Sequence, residues 1–78
     1  MINIKCFGIA KEIVGNDVAF IDSSTISVAD LRHRMNEQYI AFTQIKGYMV
    51  AVNQEYAIDS QIINADDEVA IIPPVSGG

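Results

Sequence analysis

The sequence has few of the residues on which most protein chemistry depends. It contains one cysteine, one histidine and no tryptophan. A single cysteine excludes an internal disulfide and a cysteine-based metal cluster. Nucleophile-elbow, phosphate-loop and metal-ligand spacings are also missing from the sequence. We therefore predict that the chain contributes no catalytic residue and no metal ligand of its own.

Basic residues are scarce as well. Five Lys and Arg residues stand against ten Asp and Glu residues, which gives a formal net charge of −5. The basic residues are scattered along the chain, at Lys5, Lys11, Arg32, Arg34 and Lys46. Nucleic acids and anionic membrane surfaces are bound by basic patches, so neither is a predicted partner. The charge instead favours a partner that presents a basic surface.

Long hydrophobic runs are missing too. No apolar run approaches the roughly 20 residues that span a bilayer, and the N-terminus lacks the basic-then-apolar form of a secretory signal. The length of 78 residues suits one small domain. Half of the residues are hydrophobic, which argues against disorder. We predict one domain over residues 1–78 in a cytoplasmic protein.

The N-terminal segment has the periodicity of a strand. Residues Ile2 to Phe7 place Ile2, Ile4 and Cys6 on one face. Cys6 is interpreted as a small buried hydrophobe rather than a reactive thiol. Phe7 falls on the polar face, where it is either covered by a neighbouring loop or exposed as a contact. The pattern alone favours a covered ring.

A short helical turn and a second strand follow. Ile9 and Ile13 have helical spacing, and Gly15 is a natural residue to end the turn. Val18 to Ile21 is apolar and predicts a strand that pairs back on the first one.

The main helix is predicted to begin after Ser27. Ser27 and Asp30 have the spacing of a capping box, in which the Ser hydroxyl accepts an N–H of the first turn. The apolar residues form a single stripe, at Val28, Leu31 and Met35. His33 lies off this stripe and is interpreted as solvated. The helix is expected to end near Gln38 to Tyr39.

The second half of the chain predicts three more strands. The expected segments are a loop over 41–46, a strand over 48–53, a very short strand over 56–58, a helical turn over 59–61, a tight turn over 64–67 and a last strand over 68–72. The element order predicts an α+β domain with one main helix packed on one face of a mixed sheet. The β-grasp (ubiquitin-like) fold fits best, with the first and last strands parallel at the centre.

Four carboxylates gather near one turn of the sequence: Asp59, Asp66, Asp67 and Glu68. They are interpreted as a solvated acidic surface, with a docking patch for a basic partner as the alternative.

The C-terminus is the remaining candidate for chemistry. Pro73 and Pro74 cannot continue a central strand, and Gly77 and Gly78 can enter a space too narrow for any larger residue. Residues 75–78 would reach about 13 Å beyond the domain if extended. A terminal carboxylate becomes reactive toward sulfur or an amine once ATP converts it to an acyl-adenylate. A frayed or artificial end is the alternative interpretation.

The last ten residues, from Val69 to Gly78, resemble the C-terminal signature of the small subunit of molybdopterin synthase, a family of ubiquitin-like sulfur carriers. Further similarity lies in Phe7-x-x-x-Lys11-Glu12, in Thr25-x-x-Val28-Ala29-Asp30-Leu31 and in the segment from Val50 to Glu55. Together these segments cover nearly the whole chain in the family's order.

The resemblance implies a β-grasp fold and a role in sulfur transfer. It implies that a ubiquitin-activating-like adenylyltransferase uses ATP to adenylate Gly78, which then becomes a thiocarboxylate. The tail residues Pro74, Val75, Ser76 and Gly77 would insert into the active site of the molybdopterin synthase large subunit. The sulfur would pass to precursor Z. The resemblance also implies that the carrier and the large subunit form a heterotetramer, and that this chain binds no cofactor. Phe7 becomes a candidate for the docking surface.

Two positions depart from the family pattern, and three other functions stay open. Gly8 replaces a common Ala, and Asp66 replaces a usual Gly in a turn, which leaves the shape of that turn in doubt. The alternatives are a sulfur carrier for thiamine thiazole synthesis, a protein modifier that forms isopeptide bonds through Gly78, and an interaction domain with an inert tail.

Overall fold

The computed structural model describes residues 1–45 and 47–74, so Lys46 and residues 75–78 lie outside the description. The strands are β1 (Ile2–Cys6), β2 (Val18–Ile21), β3 (Thr25–Ser27), β4 (Met49–Val52), β5 (Glu55–Tyr56), β6 (Ile62–Asn64) and β7 (Val69–Ile72). The α-helices are α1 (Gly8–Val14) and α2 (Val28–Gln38), and a 3₁₀ helix covers Ile40–Gln44.

Five of the strands form a mixed sheet in the order β2-β1-β7-β4-β5. β1 pairs antiparallel with β2 and parallel with β7, with Ile4 opposite Val69 and Cys6 opposite Ile71. β7 also pairs antiparallel with β4. The predicted β-grasp topology is confirmed, including its parallel central pair.

Helix α2 forms as its sequence predicts. The Ser27 hydroxyl accepts a hydrogen bond from the backbone N–H of Asp30 at 3.1 Å, which satisfies one unpaired donor of the first turn. The predicted stripe of Val28, Leu31 and Met35 is fully buried. The helix ends at Gln38. No helix within the described ranges is long and apolar enough to cross a membrane.

The core lies between α2 and one face of the sheet. β1 alternates between buried and exposed residues, and Ile2, Ile4 and Cys6 face the core as predicted. Burial of an aliphatic side chain of this size contributes about 1.5–3 kcal/mol. Helix α1 ends at Val14 and is capped by Gly15, whose φ of 83° is the left-handed conformation expected for a glycine at a helix C-terminus.

The predicted helical turn over 59–61 is a single hydrogen-bonded turn, in which the N–H of Gln61 donates to the carbonyl of Ile58 at 3.0 Å. The two-stranded pairing of β3 with β6 was not predicted. The backbone carbonyls of Gln61 and Asp59 accept hydrogen bonds from the N–H groups of Val28 and Ala29, at 2.9 and 3.0 Å. These N–H groups belong to the first turn of α2, which has no partners for them within the helix. This segment therefore provides hydrogen-bond acceptors for the first turn of α2 before the chain enters β6.

The loop predicted over 41–46 is largely the 3₁₀ helix instead. Phe42 is almost fully buried there, with its ring 5.8 Å from Tyr39 and 5.7 Å from Tyr48 between centroids. A five-residue helix with one buried side chain has no apolar periodicity, so its sequence carries no helical signal.

Strands β4 and β5 are joined by a strained two-residue turn. Asn53 and Gln54 have φ values of 52° and 71°, between the paired residues Val52 and Glu55. Two successive positive φ values are typical of the type I′ hairpin turn, which favours Asn-Gly. Asp66 is not among the described residues with positive φ, so the doubt about its turn is removed.

Replacing Gln54 with Gly is expected to stabilise the domain. Gln54 has a left-handed φ of 71°. Glycine removes the steric cost of the left-handed conformation, but it also increases the conformational entropy of the unfolded chain. The first effect is larger, so we expect the free energy of unfolding to rise by about 0.5–1 kcal/mol. Urea denaturation measures the free energy of unfolding. Gln61→Gly, at a position without a positive φ, is the control and should destabilise. A loss of stability in both variants would contradict the assignment of strain to Gln54.

Candidate functional site

The C-terminal tail leaves the domain from the centre of the sheet. β7 ends at Ile72, Pro73 is half-buried and Pro74 is exposed. Because Cys6 lies opposite Ile71 in the parallel pair, the residues that follow β1 and β7 emerge side by side. The predicted tail residues Val75, Ser76, Gly77 and Gly78 lie outside the described residues. The structure therefore defines the root of the tail.

Gly8 begins α1 directly against this root. Its φ is 56°, and a Cβ added to it would lie 3.7 Å from Cγ of Pro73. Next to this contact is an open groove of about 650 Å³, lined by Phe7, Gly8, Ile9, Gln44, Ile45, Ile72, Pro73 and Pro74. The departure of Gly8 from the family pattern therefore coincides with a backbone conformation that favours glycine.

The face of the five-stranded sheet turned away from the core carries an apolar surface, which we call the open face. Its residues are Lys5, Phe7, Met49, Ala51, Tyr56, Glu68, Ala70 and Ile72. Phe7, Met49 and Tyr56 are 50%, 42% and 66% exposed. Contiguous exposed apolar side chains of this kind are typical of binding surfaces.

Phe7 and Ile72 join the open face to the tail root, since both line a depression on the open face and the groove beside the tail root. The expectation that a loop covers its ring is wrong, because half of the residue is exposed. Helix α1 begins at the next residue and buries Ala10 in the core. The chain after Phe7 thus turns toward the core side of the sheet and leaves the ring uncovered.

A hydrogen-bonded turn holds Glu68 at the edge of the open face. The backbone N–H of Asn53 donates to the carbonyl of Glu68 at 2.7 Å, and the side-chain oxygen of Asn53 accepts from the N–H of Glu68 at 3.0 Å. The Asn53 amide also donates to Asp67 at 3.1 Å, and the other carboxylate oxygen of Asp67 accepts from the N–H of Asn64 at 2.8 Å. The carboxylate of Glu68 lies 3.8 Å from the Lys5 ammonium.

Three of the four carboxylates that gather in the sequence have separate partners in the fold. Asp59 forms an ion pair with Arg32 of α2 at 3.1 Å. The Asp67 carboxylate is hydrogen-bonded at the β4–β5 turn, and that of Glu68 lies beside Lys5. Asp66 is exposed. These partners favour the interpretation of solvated surface carboxylates over that of one acidic docking patch.

The single cysteine and the single histidine lie apart from the open face. Cys6 is buried, and its burial raises the pKa of the thiol, which makes it a poor nucleophile at neutral pH. His33 is exposed on α2, with Nε2 3.2 Å from a carboxylate oxygen of Glu37. Both positions agree with the sequence interpretation of a buried cysteine and a solvated histidine.

The hydrogen bonds to Asp67 predict a pH dependence of stability. The N–H of Asn64 and then the Asn53 amide lower the pKa of Asp67 below its ordinary value. A depressed folded-state pKa stabilises the fold above the ordinary Asp pKa, and this contribution is lost as pH falls through the lowered value. We expect Asp67→Asn to flatten the decline of unfolding free energy in the acid range, measured by urea denaturation from neutral pH downward. Asp66→Asn is the control, and an equal flattening in it would contradict the role of Asp67.

The left-handed backbone at Gly8 predicts that alanine, the residue that the family commonly has there, destabilises the domain. Gly8→Ala should destabilise the domain by about 1–2 kcal/mol, because φ near 56° is unfavourable for a residue with a Cβ. Denaturant unfolding measures this cost. Gly47→Ala, at φ 69° with open space around it, is the matched control and should lose a similar amount. If Gly8→Ala is neutral while Gly47→Ala is not, α1 starts differently from the conformation described.

Comparison with known proteins places these features in a family. A family model described as the ThiS family matches residues 4–78. The molybdopterin synthase sulfur carrier subunit of Dictyostelium discoideum is 40% identical over 83 residues, covering 96% of this chain and 93% of that protein. The subunits of the same name from Caenorhabditis elegans and Escherichia coli K12 are 39% and 30% identical, with full coverage of both chains.

Solved structures show the same fold. SAMP1 from Haloferax volcanii superposes with a TM-score of 0.82 at 25% identity, covering 99% of this chain and 98% of that one. A putative molybdopterin converting factor subunit 1 from Pyrococcus furiosus has a TM-score of 0.79 at 20% identity, covering 95% and 97%. With the family model matched from the first strand to the last residue, the chain belongs to the ThiS family.

Proposed function

We propose that this chain is the sulfur carrier subunit of a molybdopterin synthase. The observation that carries the proposal is the 30–40% identity, along nearly complete chains, to proteins of that name. The geometry supports it, because the described fold delivers the tail root to an exposed position beside an apolar surface. The domain presents the tail, and the reaction takes place at the last residue.

The proposed chemistry is acyl activation followed by sulfur transfer. The carboxylate of Gly78 attacks the α-phosphate of ATP on a ubiquitin-activating-like adenylyltransferase, which forms an acyl-adenylate and releases pyrophosphate. Hydrosulfide from the sulfur source displaces AMP from the acyl-adenylate, and loss of its proton leaves a thiocarboxylate on Gly78. This sulfur is then donated to precursor Z, and the terminal carboxylate is restored when water supplies the oxygen.

The tail residues have a steric role in this proposal. Pro74 is exposed where the tail leaves the domain, and Val75, Ser76 and Gly77 follow it. Narrow residues let the terminal group reach an active site in another protein. The groups that catalyse sulfur transfer to precursor Z belong to the large subunit, so this chain acts as a substrate-like subunit rather than as an enzyme.

The open face is the proposed docking surface for the large subunit and for the adenylyltransferase. Phe7, Met49 and Tyr56 supply exposed apolar area beside the tail root, and such area stabilises protein interfaces when it is covered. Phe7 keeps its predicted role as a partner contact. Two carriers flanking a dimer of large subunits, each with its tail in one active site, form the proposed heterotetramer.

A protein modifier is the second candidate function. The likeness to SAMP1 favours it, because a second Haloferax volcanii structure with a TM-score of 0.80 is named small archaeal modifier protein 1. In that case Gly78 would form an isopeptide bond with a lysine of a target. Deleting Gly78 would then remove a ladder of covalent adducts from a cell lysate blot, whereas a sulfur carrier produces no ladder. A carrier for thiazole synthesis would instead copurify with a thiazole synthase.

Adding one alanine after Gly78 is expected to abolish thiocarboxylate formation without unfolding the domain. The added residue moves the terminal carboxylate away from the position that the adenylyltransferase aligns with ATP. Intact mass spectrometry after incubation with the adenylyltransferase, ATP and a sulfur source detects the replacement of oxygen by sulfur. The unextended chain is the control, and circular dichroism checks the fold of both. A thiocarboxylate on the extended chain would contradict the proposal.

A further inference from the structure

Lys5 lies at the β1 side of the open face. In the sheet it lies opposite Val18 of β2 and opposite Ala70 of β7. Ala70 in turn lies opposite Ala51, and Ala51 opposite Tyr56. A row of small and apolar residues thus crosses the sheet with one ammonium within it. Lys5 is the only cation among the residues that define the open face.

The ammonium of Lys5 is poorly paired within the chain. The nearest described carboxylate oxygen, from Glu68, is 3.8 Å away, and the two side chains are 58% and 40% exposed. This separation is longer than a hydrogen bond. A lysine has three donors, and water satisfies them as long as the face is uncovered. The pair itself contributes little at such exposure.

Binding of a partner over the open face changes the hydration of the Lys5 ammonium. A partner that buries Phe7 and Tyr56 also displaces the water around Lys5, and a buried ammonium is costly unless acceptors replace that water. The Glu68 carboxylate, now 3.8 Å away, can satisfy only part of the three ammonium donors, and Asn53 already occupies the Glu68 backbone carbonyl. The missing acceptors therefore have to come from the partner.

The surface beside Lys5 has room for a side chain of the partner. Ala51 and Ala70 are the smallest residues of the row, and an open depression of about 370 Å³ lies over them. Its rim includes Phe7, Tyr56 and the Lys5–Glu68 pair. A partner side chain in this depression needs an apolar stem against the alanines and an acceptor at its tip.

We propose that the large subunit places an acidic side chain in this depression, against the ammonium of Lys5. The inference rests on the proposed function and assigns Lys5 as a specificity-determining residue of the docking surface. The chain carries a net charge of −5, so a partner carboxylate is repelled over most of the domain and attracted at Lys5. Lys5 therefore fixes the position of the partner on an otherwise apolar surface.

The test measures binding of the purified large subunit to the full-length carrier by isothermal titration calorimetry at low and moderate salt. Lys5→Met keeps the length and apolar stem of the side chain and removes its charge. We expect it to weaken binding about tenfold and to reduce the salt dependence, and Lys5→Glu to weaken binding by about a further tenfold. Arg34→Met, which makes the same change of charge on α2, should stay within about twofold of the wild type.

Glu68→Gln separates the proposed contact from the internal pair. It should strengthen binding, because it releases Lys5 for the partner and removes a charge that repels a partner carboxylate. Equal weakening by Lys5→Met and Glu68→Gln would overturn the inference in favour of an intact Lys5–Glu68 pair in the interface. Binding of Lys5→Met as tight as that of the wild type would also overturn it, while leaving the proposed function in place. Failure of the wild-type carrier to bind the large subunit would overturn the proposed function itself.

Discussion

The parallel pairing of β1 with β7 is the constraint on which the rest of the molecule depends. It joins the first and last strands of the chain at the centre of the sheet. Parallel neighbours require a long crossover, and everything from α1 to β6 forms that crossover. Burial of Ile4, Cys6, Val69 and Ile71 on one side of the pair links its formation to the packing of α2. The position of the tail root is therefore a consequence of folding the whole domain.

The same pairing produces the open face. Side chains alternate along strands, so the register that directs Ile4 and Ile71 into the core directs Lys5 and Ile72 outward. Phe7 continues this outward series at the end of β1. A single register thus sets the core, the open face and the position of the tail root, and a shift by one residue would exchange the two faces of the sheet.

Much of the fold could be predicted from the sequence because its strongest signals are local. Strand alternation in β1, the cap at Ser27 and the stripe along α2 each lie within one segment and agree with the structure. The missed features lie in segments too short to show a hydrophobic pattern. β3 and β6 are short strands held by each other and by the start of α2, and the 3₁₀ helix is fixed by Phe42 between two tyrosines. Neither the short strands nor the 3₁₀ helix has enough residues to show a hydrophobic periodicity.

Within the candidate site, the role of the C-terminus was easier to predict from the sequence than the open face. The lack of other chemical groups and the resemblance to a family both point to Gly78. The exposure of Phe7 and the surroundings of Lys5 could not be read from the pattern, because their neighbours come from β7, β4 and β5, more than 40 residues later in the chain. Alternation marks Lys5 as outward-facing, but only the register shows two alanines and Tyr56 beside it.

In the proposed function, the chemistry and the recognition are divided between two parts of the chain. The domain supplies an exposed apolar surface. Its one thiol, Cys6, is buried with a raised pKa, so in the proposed reaction it does not compete with the sulfur source for the adenylated carboxyl carbon of Gly78. Top-down mass spectrometry of the carrier, after reaction with the adenylyltransferase, ATP and a sulfur source, tests this division most directly. The account predicts one added sulfur in place of oxygen, located at Gly78 and lost when the large subunit and precursor Z are added. Sulfur located at Cys6, or a terminal carboxylate that stays unchanged, would contradict it.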